Sequence, residues 1–261
     1  MLLAVDIGNS SITMGGFREE AEPVFTLRFG AGEQRSADEY VHTLRQALQQ
    51  QEIEAEEISD GAIASVVPSL THTLVRALEL LGCQRVLTVG AGVKTGFSVR
   101  TDAPGEVGAD IIANAAAAVR IAEGAAIMVD IGTATTVFAL NEKKELLGGA
   151  ILPGIRSSLE GLRASTAQLP MVALEPSAKA IGKNTADCIS NGVLLGHAFG
   201  IDGLIDRFAA EMGVDAPEVL VTGGPASLVV PHCRHTMRQE PFLTLKGLRV
   251  IYELTRKKKI I

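Results

Sequence analysis

The chain has 261 residues, of which 47% are hydrophobic, and such a chain can bury one large core or two smaller ones, which excludes a disordered polypeptide. A formal net charge of −6 and an aromatic content of only 4% disfavour a nucleic-acid partner or an anionic membrane surface. Three widely spaced cysteines predict a protein without disulfides, which fits the cytoplasm. The N-terminus does not have the pattern of a signal peptide, because Asp6 interrupts the first apolar run.

The first half of the chain is predicted to open with a meander of short strands, followed by alternating helices and strands. Apolar runs between glycine-containing and charged turns indicate the strands. Ser36 and Glu39 have the spacing of a capping box and mark the start of the first helix. Pro68 opens the next helix. The predicted strands are residues 2–6, 12–17, 24–29, 61–67 and 85–89.

The second half repeats this order after an Ala-rich helix that begins near Gly108. A long helix is predicted over residues 187–212, and a last one begins at Thr244. Cys188, near the start of the long helix, is predicted to be a small buried residue. A further helix is predicted at 155–163, with strands at 126–130, 135–141, 146–151 and 218–222.

The segment that ends the first strand returns 124 residues further along, from Asp6 to Asp130. In each copy an apolar run ends in Asp and is followed by Ile-Gly and then by hydroxyl or amide side chains. Glycine permits a tight turn after the strand. Because each copy opens a strand meander, we predict an α/β fold of two duplicated domains, residues 1–118 and 119–261, with a nucleotide cleft between them.

The two turns have the residues that phosphoryl transfer requires, which are an anion-binding loop and a carboxylate for a divalent cation. Asp6 with residues 8–13 forms one candidate, and Asp130 with Thr133 forms the other. Gly223 and Gly224 follow a strand and allow the backbone to approach a nucleoside. Each turn alone is more often an ordinary tight turn, but together and in this order they predict a nucleotide site.

Asp110 is a third carboxylate of interest. Gly108 and Ala109 before it leave little steric bulk, so that a substrate could approach its side chain closely. The alternative is a structural role, because an acidic residue in the first turn of a helix is favoured by the helix dipole. Both interpretations stay open on composition alone.

Ordered motifs along the chain resemble the type III pantothenate kinases of bacteria, which belong with acetate and sugar kinases, heat-shock chaperone ATPases and actin. The resemblance covers nearly the whole chain. It is carried by the segments Asp6-Ile7-Gly8-Asn9-Ser10, Ser65-Val66-Val67-Pro68-Ser69, Lys94-Thr95-Gly96, Glu106-Val107-Gly108-Ala109-Asp110, Asp130-Ile131-Gly132-Thr133, Gly148-Gly149-Ala150, Ile181-Gly182-Lys183-Asn184-Thr185, Thr222-Gly223-Gly224 and Leu243-Thr244-Leu245-Lys246-Gly247.

The resemblance implies duplicated ribonuclease-H-like (actin-like ATPase) domains in a homodimer that phosphorylates pantothenate with ATP, the first step of coenzyme A synthesis. It implies Asp110 as the general base, Asp6 as the Mg²⁺ residue, Asp130 as a ligand of K⁺ or NH₄⁺, and Thr185 as a pantothenate contact from the partner subunit. The implied ATP-binding residues are Asp6, Ile7, Gly8, Asn9, Ser10, Ser11, Ile12, Thr13 and Thr133, beside the glycines Gly223 and Gly224. The implied substrate-binding residues are Thr101, Gly108, Ala109, Asp110, Ile111 and Thr185.

Two positions depart from the family pattern in the pantothenate pocket. The family usually has Arg where this chain has Ile111, and Tyr where it has Thr101. Loss of a charge-assisted contact to the substrate carboxylate would forfeit about 1.5–3 kcal/mol if nothing compensates. Arg100, Lys94 and Arg163 are the residues that could replace the contact. Two alternatives therefore remain, a kinase of this fold with another hydroxy-acid acceptor and a non-catalytic regulatory relative.

His232, Cys233 and His235 lie within four residues and could suggest a metal site. No second Cys and His cluster completes a tetrahedral set of ligands. We expect a loop in which these side chains bind no metal.

Overall fold

Two mixed β-sheets organise the chain in the computed structural model, which describes residues 1–32, 35–90, 92–166, 169–170, 172–175 and 179–256. Within the described residues, the strands are β1 (Leu2–Ile7), β2 (Ser11–Phe17), β3 (Phe25–Gly30), β4 (Asp60–Ser65), β5 (Arg85–Thr88), β6 (Ser98–Val99), β7 (Ala126–Ile131), β8 (Ala134–Leu140), β9 (Glu145–Pro153), β10 (Glu218–Thr222) and β11 (Arg238–Gln239).

The helices within the same described ranges are α1 (Ala37–Gln50), α2 (Pro68–Leu81), α3 (Ala109–Ile121), α4 (Ile155–Ala164), α5 (Thr185–Met212), α6 (Ala226–Val229) and α7 (Leu243–Arg256). Short 3₁₀ turns occur at Ala55–Glu57, Pro104–Glu106 and Val230–His232. The predicted capping box is confirmed, because Ser36 accepts a hydrogen bond from the Glu39 N–H and the Glu39 carboxylate accepts one from the Ser36 N–H.

The chain divides into two units. The first unit comprises Met1–Ser98, Asp102–Ile121 and Phe242–Ile261, and the second comprises Val99–Thr101 and Ala122–Pro241. The last helix therefore groups with the first unit, whereas the sequence boundary assigned all of 119–261 to the second half. The physical reason is that the apolar side chains of α7, such as Leu248, pack in one cluster with those of α3 and β1.

The sheet of the first unit is covered on both faces. Side chains of a strand alternate between the two faces of a sheet. Leu3 and Val5 of β1 pack in one cluster with Leu44 of α1 and Leu74 of α2. Ala4 lies in a second cluster with Ala113 of α3. By the same alternation Asp6 lies on the face that α3 and α7 cover.

The sheet of the second unit has α5 against it. Leu194, Ile201 and Ile205 of α5 are buried in one cluster with Ile127 and Val129 of β7. By length and composition α5 could cross a membrane, but half of its most apolar stretch is buried inside the unit. We therefore assign it as a core helix.

The two sheets repeat one topology. The first has the strand order β3-β2-β1-β4-β5, and the second has the order β9-β8-β7-β10-β11, with β6 added beyond β9. The strands β1, β2 and β3 pair antiparallel, as do β7, β8 and β9. β4 and β10 pair parallel with β1 and β7, and β5 and β11 pair parallel with β4 and β10. This confirms the predicted α/β fold of duplicated ribonuclease-H-like domains.

Candidate functional site

The first predicted turn joins β1 to β2 and consists of Gly8, Asn9 and Ser10. The Gly8 N–H donates to the Ser11 carbonyl at 3.0 Å, which closes the turn. A Cβ atom on Gly8 would lie 3.3 Å from that same oxygen, so the position is tight. Asn9 and Ser10 are exposed at the tip, where their side chains and N–H groups can face a ligand.

Asp6 lies beside this turn in a row of polar residues. It pairs in register with Thr13 on β2, and Thr13 pairs in turn with Arg28 on β3. Directly paired residues of neighbouring strands lie on the same face of a sheet. Asp6 and Thr13 are half-buried, and the Arg28 Nη2 atom donates to the Ser11 hydroxyl at 3.1 Å. Arg28 is not among the predicted site residues, although its period-two position on a predicted strand could have identified it.

The second predicted turn joins β7 to β8 and is one residue shorter, with only Gly132 and Thr133 between the strands. The Gly132 N–H donates to the Ala134 carbonyl at 3.0 Å. Asp130 pairs in register with Thr136, which repeats the pairing of Asp6 with Thr13. Each unit therefore has a hairpin with an Asp at the equivalent position, although the two turns differ in length by one residue.

The start of α4 fixes the second turn through hydrogen bonds to its backbone. The Thr133 carbonyl accepts hydrogen bonds from the Gly154 N–H at 3.1 Å and from the Ser157 hydroxyl at 2.8 Å. A Cβ atom on Gly154 would overlap the carbonyl oxygens of Gly132 and Thr133. Glycine at position 154 thus allows the helix to approach the backbone of the turn.

The third predicted element, Gly223 and Gly224, lies next to the second turn. Gly223 has a φ of +98°, which favours glycine. A Cβ atom on it would overlap the backbone of Ile131, the last residue of β7. Because Thr222 also pairs in register with Asp130, the structure brings Asp130, Thr133 and Gly223 together in the second unit.

A buried pair that the sequence analysis missed supports the second turn from the core side. Thr135, the second residue of β8, is fully buried. Its hydroxyl lies 2.8 Å from the Nε2 atom of His197 on α5. Burial lowers the pKa of His197, which favours the neutral ring. His197 and Thr135 are too far apart in sequence for any local pattern to pair them.

Asp110 is the second residue of α3, and its Oδ1 atom accepts a hydrogen bond from the Ile111 N–H at 2.9 Å. A Cβ atom on Gly108 would overlap this carboxylate oxygen. Glycine at 108 therefore makes room for the Asp110 side chain itself, in addition to any approach of a substrate. Ala109 packs against the cluster that contains Ala4, so α3 begins on the same face of the first sheet as Asp6.

The other predicted substrate residues lie in different parts of the chain. Ile111 is 8% exposed on α3, in the first unit. Thr101 and Thr185 belong to the second unit, where Thr185 is exposed at the start of α5. The Thr101 hydroxyl is buried and has no hydrogen-bond partner within the described residues. Arg100 is paired with Glu145 at 2.7 Å.

The loop of histidines forms an ion-pair cluster. The His235 Nε2 atom lies 2.7 Å from Asp206, and Arg234 also contacts this carboxylate at 2.8 Å. Their hydrogen bonds, first that of His235, lower the pKa of Asp206. In the described ranges no group of three or more His, Cys, Asp or Glu side chains is arranged to hold a metal.

The prediction for Cys188 was wrong, because this residue is exposed. It lies in the first turn of α5, where the next residues, Ile189 and Ser190, are the buried ones. Apolar character alone therefore did not indicate which face of the helix the cysteine occupies.

The carboxylates of Asp6 and Asp130 fit the cations that the resemblance implies. Both are half-buried near a strand end, next to a turn with exposed residues, Asn9 and Ser10 in one and Thr133 in the other. Mg²⁺ is usually held by one or two carboxylates together with substrate phosphates and water. A site of that kind needs no cluster of three protein ligands.

Comparison with known proteins identifies the family. A profile of the family described as type III pantothenate kinase matches residues 2–207. The type III pantothenate kinase of Moorella thermoacetica is 44% identical over 253 residues, which cover 97% of this chain and 99% of the relative.

Solved structures agree on the fold. The Campylobacter jejuni protein described as a Baf family transcriptional activator has a TM-score of 0.62 at 20% identity, covering 98% of this chain and 99% of that one. The activator of 2-hydroxyisocaproyl-CoA dehydratase from Clostridium difficile, with bound ADPNP, has a TM-score of 0.54 at 10% identity, covering 100% of this chain and 97% of that one. At such identities these likenesses concern the fold alone, whereas the profile match and the sequence relative show that the chain belongs to the type III pantothenate kinase family.

Proposed function

We propose that this chain transfers the γ-phosphoryl group of ATP to the hydroxyl of pantothenate and so catalyses the first step of coenzyme A synthesis. Membership of the family supports this activity, together with one structural observation. An Asp-Gly turn of the same construction follows the first strand of both sheets, Asp6 with Gly8 and Asp130 with Gly132. A scaffold without phosphoryl chemistry has no need for a carboxylate at both positions.

In this proposal the residues of each turn bind the phosphates of ATP. The exposed side chains of Asn9, Ser10 and Thr133 act as hydrogen-bond donors, whereas the Gly8 and Gly132 N–H groups close the turns. Gly223 and Gly224 let the backbone approach the nucleoside. The other residues proposed to line the ATP site are Asp6, Ile7, Gly8, Ser11, Ile12 and Thr13.

Asp110 is proposed as the general base, which accepts the proton of the acceptor hydroxyl as the phosphoryl group transfers. Gly108, Ala109, Ile111, Thr101 and Thr185 are proposed to contact the acceptor, Thr185 from the partner subunit of a cytoplasmic homodimer. Thr185 supports this proposal by its exposure at the start of α5.

Asp6 is proposed to hold Mg²⁺, which neutralises charge on the phosphates when bound. Asp130 is proposed to hold the monovalent cation, K⁺ or NH₄⁺. The half-buried carboxylates next to the turns support both assignments. Equal activity in K⁺ buffer and in choline buffer would contradict the role of Asp130.

Another hydroxy acid is the second candidate acceptor, and a specific observation favours it. The buried side chain next to Asp110 is Ile111, an apolar residue that offers no charge to a substrate carboxylate. Phosphorylation of pantothenate and of related hydroxy acids with ATP, Mg²⁺ and K⁺ separates the two acceptors. Saturable turnover of pantothenate, at a higher kcat/KM than any other acid, would support the first candidate.

Asp110→Asn tests the base directly. We expect phosphoryl transfer to fall by about 100- to 10,000-fold, the usual contribution of a positioned base, with ATP affinity unchanged in calorimetry. Asp102→Asn is the control, because Asp102 is an exposed carboxylate of the same unit. Turnover of Asp110→Asn at the wild-type rate would exclude Asp110 as the base.

A further inference from the structure

We propose that Arg28 on β3 binds the terminal phosphates of ATP and stabilises their charge during transfer. This inference rests on the proposed function and adds a cationic residue to it. The residues assigned to ATP so far are neutral or acidic, whereas a triphosphate and its transition state need positive charge.

Arg28 lies on the same face of the first sheet as Asp6. Register pairing gives the row Asp6, Thr13 and Arg28 across β1, β2 and β3, on one face of the first sheet. This is the face against which α3 packs, and α3 carries Asp110 near its start. Arg28 therefore lies on the same side of the sheet as the proposed Mg²⁺ residue and the proposed base.

The guanidinium group of Arg28 contacts the end of the first turn. Its Nη2 atom donates to the Ser11 hydroxyl at 3.1 Å, at the end of the first turn. Within the residues that the structure describes, Arg28 makes no ion pair with a carboxylate, unlike Arg18, Arg45 and Arg76 of the same unit. An arginine with its charge uncompensated, next to a turn proposed to bind phosphate, is suited to a bidentate phosphate contact.

The second sheet has an apolar residue at the position equivalent to Arg28. The residue of the second unit that corresponds to Arg28 is Ile151, because it pairs with Thr136 as Arg28 pairs with Thr13. Ile151 is 67% exposed. The topology thus tolerates an apolar residue at this position, and the fold alone does not require an arginine there.

A structural explanation competes with this inference. β3 is an edge strand of its sheet, and charged side chains on an edge strand prevent pairing with other chains. On that explanation any polar residue would serve, and activity would not depend on the guanidinium group.

The experiment compares Arg28→Gln with Arg45→Gln. Both variants remove one positive charge from an exposed arginine of the first unit. Arg45 lies on α1, which covers the opposite face of the sheet, and it pairs with Glu56. We expect Arg28→Gln to lower kcat/KM for ATP about 100-fold, the usual effect of losing one donor to developing charge. Arg45→Gln should keep the wild-type value, and Arg28→Lys should recover part of the loss.

Calorimetric titrations with ATP and with AMP locate the contact on the nucleotide. We expect Arg28→Gln to weaken ATP binding and to leave AMP binding unchanged, with a melting temperature equal to that of Arg45→Gln. Equal kinetics of the two variants, or an equal loss of affinity for ATP and AMP, would overturn the inference. If the wild-type protein transferred no phosphoryl group, the proposed function would fail, and the ATP titrations would still decide the role of Arg28.

Discussion

The turns after Asp6 and Asp130 each join two antiparallel strands, and they differ in how they are supported. The first turn has three residues between its strands, Gly8 to Ser10, and a cation at its end. The second has two, Gly132 and Thr133, and is fixed by hydrogen bonds from α4. Duplication thus preserved the strand pairing and the Asp, while the surroundings diverged toward charge in one unit and toward rigid packing in the other.

This difference gives each turn a distinct expected role. We expect the first turn, with Arg28 beside it, to place hydrogen-bond donors and positive charge at the phosphate that is transferred. A short turn with its carbonyl bound twice keeps one backbone conformation and can orient a ligand with little entropic cost. Substitutions of equivalent residues in the two units therefore test whether the turns have different roles.

The largest expected effect comes from substituting Asp6 and Asp130, which hold equivalent positions in the two units. Asp6→Asn should lower phosphoryl transfer about 100-fold or more, because the carboxylate proposed to hold Mg²⁺ is lost. Asp130→Asn should instead remove most of the stimulation by K⁺. The measurement is kcat for each variant over a titration of Mg²⁺ and, separately, of K⁺ against choline. If both variants showed the same cation profile, the two aspartates would have equivalent roles and the assignment would be wrong.

Glycine substitutions test the difference in rigidity. Gly154→Ala should destabilise the protein by about 1–3 kcal/mol, the usual cost of forcing an added group into a packed position, because its Cβ atom would overlap the carbonyl oxygens of the second turn. Gly8→Ala should cost less, since its Cβ atom would meet a single oxygen at 3.3 Å. Urea unfolding of both variants measures the difference, and an equal loss would show that the two turns are equally tight.

Much of this fold was predictable from sequence, because strands and helices here have clear local signals. Apolar runs that end in Asp-Ile-Gly located β1 and β7, and Ser36 with Glu39 located the start of α1. The two-residue strands β6 and β11 escaped prediction. Each is too short to show a hydrophobic period, and its pairing depends on residues distant in the chain.

The candidate site was predictable only where its residues are neighbours in sequence. The turns and Gly223 were found through glycine and its conformational freedom. The Thr135–His197 pair and the donation from Ser157 to Thr133 join residues far apart in the chain. The grouping of α7 with the first unit is likewise a tertiary effect, since an apolar stripe on a helix does not indicate which of two cores the helix packs against.

The buried histidine behind the second turn predicts a dependence of stability on pH. Burial lowers the pKa of His197 below its usual value of 6.5. Below about pH 6.5 the unfolded chain therefore takes up a proton that the folded chain resists, so the free energy of unfolding falls as the pH decreases. Above that pH the ring is neutral in both states and the contribution is complete.

The measurement is urea unfolding at about pH 5.5 and pH 7.5, on either side of the usual histidine pKa. His197→Gln should show a smaller difference between the two pH values than the wild-type protein. His42→Gln is the matched control, because His42 is exposed on α1 of the first unit, and it should behave as the wild type does. A difference of wild-type size in His197→Gln would show that another group causes the dependence.

The smallest expected effect concerns the three thiols, and it compares the cores of the two units. Burial raises the pKa of Cys83 in the first unit and of Cys233 in the second, each to about 11. Since the thiolate is the reactive form, neither should react with iodoacetamide at about pH 8, whereas the exposed Cys188 should. Mass spectrometry of the labelled native protein measures this. Labelling of Cys233 at the rate of Cys188 would show that the core beside α5 opens readily. The second unit would then be less rigid than the two hydrogen bonds to the Thr133 carbonyl imply.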